Sequence, residues 1–268
     1  MNRYANKIVA FDLDGTIIDE QGNLYTGVFE GVKRLHAKGI RSLIVTGRHI
    51  DLFCDLSLSN EFLELFEDFV LCEEGNVIYN WKEKRVFVQN QIQLECFEDF
   101  FSTNINKSNF IWSSKGKLYA SSRSALLYYS LLYNVKNYAH ITIFDPNRHR
   151  FEEITFILVF TQDFNVQNIQ SNDDKYQIEY INGKLQRMKI TPLITCKSIN
   201  LNNFLNEKYK LNMQNVIAIG NDNKDYFLIK NSRIGIAVQY STPQLISIAD
   251  IHLDQDIGTF LRTYDWEV

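Results

Sequence analysis

The chain has 268 residues, enough for two domains or for one inserted in another. Hydrophobic residues make up 45% and charged residues 22%, which excludes the disordered and fibrous classes. A formal net charge of −4 argues against non-specific nucleic-acid binding, and the longest apolar run, around Ile157–Phe160, is too short to span a bilayer. With no signal-peptide pattern at its start, the expected location is the cytoplasm. Cys54, Cys72, Cys96 and Cys196 lack metal or redox spacing and read as buried thiols.

The first strand signal is Ile8-Val9-Ala10-Phe11, followed by Asp12-Leu13-Asp14-Gly15-Thr16. Strand alternation would put Asp12 and Asp14 on one side, two acids in one small volume at a strand tip. Either a divalent cation with oxygen ligands relieves that, or one acid stays ionised while the other holds a proton. After Thr26, the positions Phe29, Val32, Leu35 and His36 predict a helix that ends at Gly39. Leu43-Ile44-Val45 is the next strand, and it ends in Thr46-Gly47-Arg48. A βαβ unit sets its ligand beyond the carboxyl ends of its strands, so Thr46 is expected beside Asp12 and Asp14. There the Thr46 hydroxyl and the Gly47 amide can donate to a phosphate oxygen, and Arg48 adds a cation. A short helix over 61–66, a strand over 69–72 and a hairpin turning at Glu74-Gly75-Asn76 follow.

From residue 82 to 190 the pattern changes. A helix over 93–101, strands over 110–112 and 118–120 about Lys115-Gly116-Lys117, and a second helix over 124–133 are expected. Segments 141–144 and 154–160 flank a loop with Asp145-Pro146-Asn147, a weaker helix covers 164–169, and segments 176–180 and 185–188 meet at Asn182-Gly183. Antiparallel pairing of this kind belongs to a separate α+β module inserted between core strands. Arg148-His149-Arg150 reads as a solvated hairpin tip, with selection of an anion as the sharper alternative. Counting Lys and Arg against Asp and Glu, the segment is mildly basic and the flanks acidic.

The core pattern resumes near Pro192. Lys197 opens a helix carrying Leu201, Phe204 and Leu205, and the strand Val216–Ile219 delivers Gly220-Asn221-Asp222-Asn223-Lys224-Asp225. A strand over 233–238, a helix from Thr242-Pro243, a strand over 251–253 and a helix over 256–264 complete the chain. The five histidines show no ligand spacing.

Asp12-Leu13-Asp14-Gly15-Thr16 resembles the first signature of the haloacid dehalogenase superfamily, Thr46-Gly47-Arg48 the second, and Lys197 the third. The fourth, commonly Gly-Asp-Gly-x-Asn-Asp, is altered, with Asn221, Asp222 and Lys224 in place of Asp, Gly and Asn and with Asp225 retained. The turn at Glu74 and Asn76 departs from the frequent Glu-Asn-Gly-Ala. The resemblance implies an α/β fold, a doubly wound and mostly parallel Rossmann-like core over 1–81 and 191–268. It also implies an inserted α+β cap over 82–190, of the type found in the Cof-like sugar-phosphatase branch. It further implies a Mg²⁺-dependent phosphatase that acts on a small phosphorylated metabolite, a sugar phosphate, through an aspartyl phosphate on Asp12. Asp14 would be the acid and base, needing a raised pKa beside ionised Asp12, and Thr46, Gly47, Arg48 and Lys197 would hold the transferring group. Asp12, Asp14, Asn221 and Asp225 would hold the metal, and no nucleic-acid or membrane partner is implied. Either Asp222 restores the charge that Asn221 lacks, or the metal site is weakened with Lys224 in part of its electrostatic role. The rival readings are a phosphomutase with a related core and a catalytically weak or silent binding protein.

Overall fold

All four residues of β1 (Ile8–Phe11) are fully buried, as expected of a strand covered on both faces. The structure is a computed structural model, and it describes residues 7–105, 108–133, 140–160, 175–182 and 185–266. It divides into two units, Met1–Arg85 with Cys196–Val268, and Val86–Thr195. A border at 190/191 would cut a strand that runs on to Pro192.

The first unit continues through α1 (Val28–Ala37), β2 (Arg41–Val45), α2 (Ile50–Cys54), α3 (Asn60–Leu63), β3 (Phe69–Cys72) and β4 (Val77–Asn80), with β5 (Arg85–Val88) at the division. Within the second unit follow α4 (Leu94–Asn104), β6 (Asn109–Ser114), β7 (Lys117–Ala120), α5 (Arg123–Tyr133) and β8 (Thr142–Ile143). Its last strands are β9 (Ile154–Phe160), β10 (Tyr176–Ile181) and β11 (Arg187–Pro192). The chain re-enters the first unit at α6 (Lys197–Tyr209), β12 (Val216–Gly220) and α7 (Tyr226–Asn231). It closes with β13 (Ile234–Ala237), α8 (Pro243–Ile246), β14 (Ile251–His252) and α9 (Ile257–Thr263).

The first sheet has the order β14-β13-β12-β1-β2-β3-β4-β5, parallel from β14 to β3 and antiparallel where β4 folds back on β3. Helices cover both faces, the doubly wound arrangement expected. Ile8 and Ala10 point to one face, where they pack with Leu43, Leu201, Leu205 and Leu228. On the other face Phe11 meets Phe66 edge to face, and α1 packs against α9. The α1 stripe is Val28, Gly31, Val32 and Leu35, with Gly27 and not Thr26 at the N-cap, and His36 is exposed. The expected burial of the four cysteines is corrected: Cys72 is buried, Cys54 is exposed, and Cys96 and Cys196 are intermediate. Cys54 and Cys96 each stand next to the buried Phe of their helix, Phe53 and Phe97, and a one-residue step on a helix turns the side chain off that face.

The second sheet has the order β10-β11-β9-β6-β7-β8 and packs Phe97, Phe110, Trp112, Ile157, Val159 and Met188 into one core. The segments around 141–144 and 154–160 do not form a hairpin. β8 is a two-residue edge strand parallel to β7, whereas β9 lies between β6 and β11. Arg148-His149-Arg150 therefore sits in a connection and not at a hairpin tip, and it braces its own loop. Arg148 pairs with Asp145, the Asp145 amide donates to His149 Nδ1, and Arg150 donates to the Pro146 carbonyl. The helix expected at 164–169 and the Gly183 half of the last turn lie outside the described residues.

Candidate active site

Parallel register assembles the site. Phe11 lies opposite Ile44 on β2 and Ile219 on β12, so Asp12, Thr46 and Asn221 leave three adjacent strands at one end of the sheet. The Asp12 amide still donates to the Ile219 carbonyl, at 3.0 Å, which fixes the carboxylate at the strand tip.

Lys197, the first residue of α6, reaches into this end. Its Nζ lies 2.6 Å from Asp12 Oδ1 and 2.7 Å from Asp225 Oδ1, with Glu74 Oε2 at 4.0 Å. The Lys197 side chain is 4% exposed and that of Asp225 is fully buried. Such charges are tolerable only when paired, and two short charge-assisted hydrogen bonds pair them. Burial pushes the Asp12 carboxyl from 3.8 up to about 7; Lys197 opposes the rise, Asp225 adds to it, and hydrogen bonds from Lys197 and Thr16 oppose it again. Burial acts to lower Lys197, but Asp12, Asp225 and Glu74 outweigh it and hold the ammonium well above its ordinary value.

The Thr16 hydroxyl lies 3.0 Å from Asp12 Oδ2 and 3.2 Å from Asn221 Oδ1, within reach of either acceptor. Gly15, at φ +73°, permits this approach, because a Cβ there would stand 2.3 Å from Asn221 Nδ2. Asp225 Oδ2 accepts from the backbone amides of Asn221, at 3.0 Å, and Asp222, at 3.3 Å, so one carboxylate ties Lys197 to the loop after β12. Asp222 Oδ1 accepts from the Lys224 amide at 2.8 Å and caps that turn, and burial, then Asp225, raises its carboxyl.

Asp14 is exposed where Asp12 is buried. After Leu13 the chain turns tightly, with the amides of Thr16, Ile17 and Ile18 all directed at the Leu13 carbonyl, so strand alternation stops at Phe11. Asp14 is exposed and pairs with Arg48, whose Nε lies 2.9 Å from Asp14 Oδ2. The acid beside Asp12 is Asp225, and the burial that raises a carboxyl falls on Asp12. Thr46 is fully buried, and its Oγ1 accepts from the Arg48 amide at 3.1 Å, an arrangement that leaves the hydroxyl proton able to donate elsewhere. The structure thus gathers Asp12, Lys197, Asn221 and Asp225, sets Thr46 and Gly47 at the neighbouring strand end, and pairs Asp14 with Arg48.

Three residues of this region escaped the motif reading as site residues: Glu74, Asn76 and Asn200. Asn200 is fully buried and donates to the Glu74 carbonyl at 2.9 Å and to Asn76 Oδ1 at 3.1 Å. It lies three positions after Lys197 on the same helix face, a spacing that could have flagged it. Glu74 Oε1 lies 2.5 Å from where a Gly47 Cβ would be, so the missing side chain at 47 is what admits this carboxylate.

The family model of the haloacid dehalogenase-like hydrolases matches residues 9–256. The chain belongs to that family. Solved structures agree on the fold. A haloacid dehalogenase-like hydrolase from Bacteroides thetaiotaomicron is 18% identical with a TM-score of 0.75, over 96% of this chain and 98% of the other. A haloacid dehalogenase-like hydrolase from B. subtilis is 16% identical with a TM-score of 0.70, over 97% and 100%. A sugar phosphatase of subclass IIB is 14% identical with a TM-score of 0.72, over 96% and 98%. No curated protein sequence matches the chain. In this haloacid dehalogenase-like chain, among the described residues, no helix is long and apolar enough to cross a membrane, and no three His, Cys, Asp or Glu side chains gather as a metal cage.

Magnesium takes oxygen donors and commonly uses one or two carboxylates, completing its shell with water and substrate phosphate. Asp12 Oδ2 and Asn221 Oδ1, both within hydrogen-bond distance of one hydroxyl, fit that requirement. A cage of acids is not needed for it. Asp225 has both oxygens engaged by Lys197 and two amides.

Proposed function

We propose that this haloacid dehalogenase-like protein is a phosphoric monoester hydrolase of the cytoplasm, with a small phosphorylated metabolite such as a sugar phosphate as substrate. The observation that carries this reading is Lys197 Nζ held between Asp12 and Asp225 at the carboxyl end of the sheet. Such a lysine fixes the rotamer of Asp12 and supplies a buried positive charge where a phosphoryl group would meet that carboxylate. One Asp12 oxygen attacks phosphorus, the ester P–O bond breaks, and Asp14 passes to the leaving oxygen a proton taken up from solvent. Asp14 then takes a proton from water, which attacks the aspartyl phosphate and releases inorganic phosphate and Asp12. For this Asp14 exchanges its Arg48 partner, and the guanidinium so released can pair with the phosphate.

The Thr46 hydroxyl and the Gly47 amide cradle the phosphate oxygens. Asp12 and Asn221, with the Asp14 carbonyl, would hold Mg²⁺, which when bound neutralises charge on the phosphoryl oxygens and favours the ionised form of Asp12. Asp225, with both oxygens occupied, is assigned to holding Lys197 and the Asn221 loop in place. The unit Val86–Thr195 is taken as the cap and as the source of most of the choice of substrate.

Two observations favour a second reading, a weakly active or silent binding protein: Asn221 brings no charge to the metal side, and Asp14 is engaged by Arg48. A panel of phosphate esters assayed for phosphate release with and without Mg²⁺ decides between them. Release dependent on Mg²⁺ supports the hydrolase, and its absence across the panel supports the silent protein.

A further inference from the structure

The carboxylate of Glu74 has no part in the mechanism above, yet it is aimed at the phosphate cradle. Its Oε1 packs over Gly47, its Oε2 lies 4.0 Å from Lys197 Nζ, and its side chain keeps 11% of its surface exposed, against none for Asp225. The backbone that presents it is held at some cost. Glu73, Glu74 and Gly75 are all left-handed, at φ +53°, +59° and +85°, a conformation that opposes any side chain with a Cβ. The Glu74 amide is bonded to the Thr46 carbonyl, its own carbonyl is bonded by Asn200, and a Cβ on Gly75 would strike the Asn200 Cβ at 2.6 Å. An anchored, strained residue whose charge opens onto a binding surface is a candidate for function.

An anionic side chain beside a phosphate-binding strand end weakens the binding of every phosphate by like-charge repulsion. That cost is recovered when the bound molecule offers a hydrogen-bond donor to the carboxylate, and it grows when the molecule carries a second anion. We propose that Glu74 is a specificity-determining residue that accepts a hydrogen bond from a hydroxyl or ammonium group close to the phosphate ester and rejects monoesters bearing a carboxylate there. The substrate class is thereby narrowed to phosphate esters of polyols, sugars or amino alcohols. This rests on the reading above only in taking Thr46 and Gly47 as the phosphate cradle.

The test is binding, so it does not depend on turnover. In the Asp12→Asn protein with Mg²⁺, calorimetric affinities are measured for glycerol 3-phosphate, phosphoethanolamine and 2-phosphoglycolate, each with Glu74 intact, with Glu74→Gln and with Glu74→Asn. With Glu74 intact the two donor-bearing esters should bind at least about tenfold more tightly than 2-phosphoglycolate. Both substitutions should bring that ratio to within about twofold of unity, mainly by strengthening 2-phosphoglycolate. Asn tolerates the left-handed region better than Glu or Gln, so Glu74→Asn folds at least as well as the parent even if Glu74→Gln does not. A ratio unchanged by either substitution, or no preference with Glu74 intact, overturns the proposal. If the esters discriminate as expected while the protein with Asp12 intact releases no phosphate, the hydrolase reading fails and the assignment of Glu74 stands.

Discussion

Around β1 the first unit sets Asp12, Lys197 and Asp225 in one buried cluster with Glu74 at its edge; around β6 and β9 the second packs Phe97, Phe101, Phe110, Trp112, Phe144 and Phe151 ring against ring. Among the described residues of the second unit, the buried polar side chains are serines and threonines and none is charged. A buried ion cluster adds little to stability compared with apolar packing of equal volume, whereas breaking it is expensive. Charge buried at a strand end thus marks chemistry, and buried rings mark a scaffold.

Two substitutions separate these roles. Lys197→Met should abolish turnover and cost about 3–5 kcal/mol, because Asp12 and Asp225 lose their counter-charge. Trp112→Ala should cost a similar ~3–5 kcal/mol through a cavity. In metal-free buffer the first loss should shrink as the pH falls and the Asp12 carboxyl, which burial raises to about 7, takes up a proton, since a folded state that binds protons more tightly gains stability in acid. The second should be unaffected by pH. Urea unfolding at several pH values checks both, and parallel pH curves for the two variants would break the comparison.

The same contrast governs what the sequence makes legible. Asp12, Thr46 and Asn221 each follow an unbroken apolar run, and parallel strands bring the ends of such runs together, so their meeting could be read in advance. Lys197 was legible from the order of the signatures, although no local pattern at a helix start announces burial. The pairing of Asp14 with Arg48 was not legible, because it depends on three amides converging on the Leu13 carbonyl and ending strand alternation. Glu74 was hidden for a related reason: its place follows from a left-handed turn and from the space above Gly47. In the second unit the segment of β8 was read within 141–144, but its parallel pairing with β7 was not, because two exposed edge residues leave no periodicity that names a partner.

A smaller effect is expected at the loop after β12. Asp222 Oδ1 is committed to the Lys224 amide, whereas Asn221 Oδ1 lies near the Thr16 hydroxyl that also reaches Asp12. This favours a neutral ligand at 221 over compensation by Asp222. Asn221→Asp should lower the Mg²⁺ concentration for half-maximal thermal stabilisation by roughly tenfold. Asp222→Asn should leave that titration unchanged, since Asn caps nearly as well. The opposite pattern would assign the charge to Asp222.

The smallest effect lies far from the cluster, at the start of α9. Asp256 accepts from the Thr259 amide at 2.7 Å, and that hydrogen bond holds its carboxyl below the ordinary value. Asp256→Ala should cost about 1 kcal/mol at neutral pH. A depressed carboxyl stabilises above its unfolded value, so the difference from the parent should vanish as the pH falls through the folded value. A difference that persists at pH 2 would mean the side chain acts through packing.

The central claim is that Asp12 is the group that becomes phosphorylated, and Asp12→Asn tests it most directly because it keeps the side-chain volume and removes the attacking anion. Phosphate release with Mg²⁺ should fall to background in the Asp12→Asn protein, while its unfolding transition stays as cooperative as the parent's. Steady-state phosphate release near the parent rate from the folded Asp12→Asn protein would contradict the account.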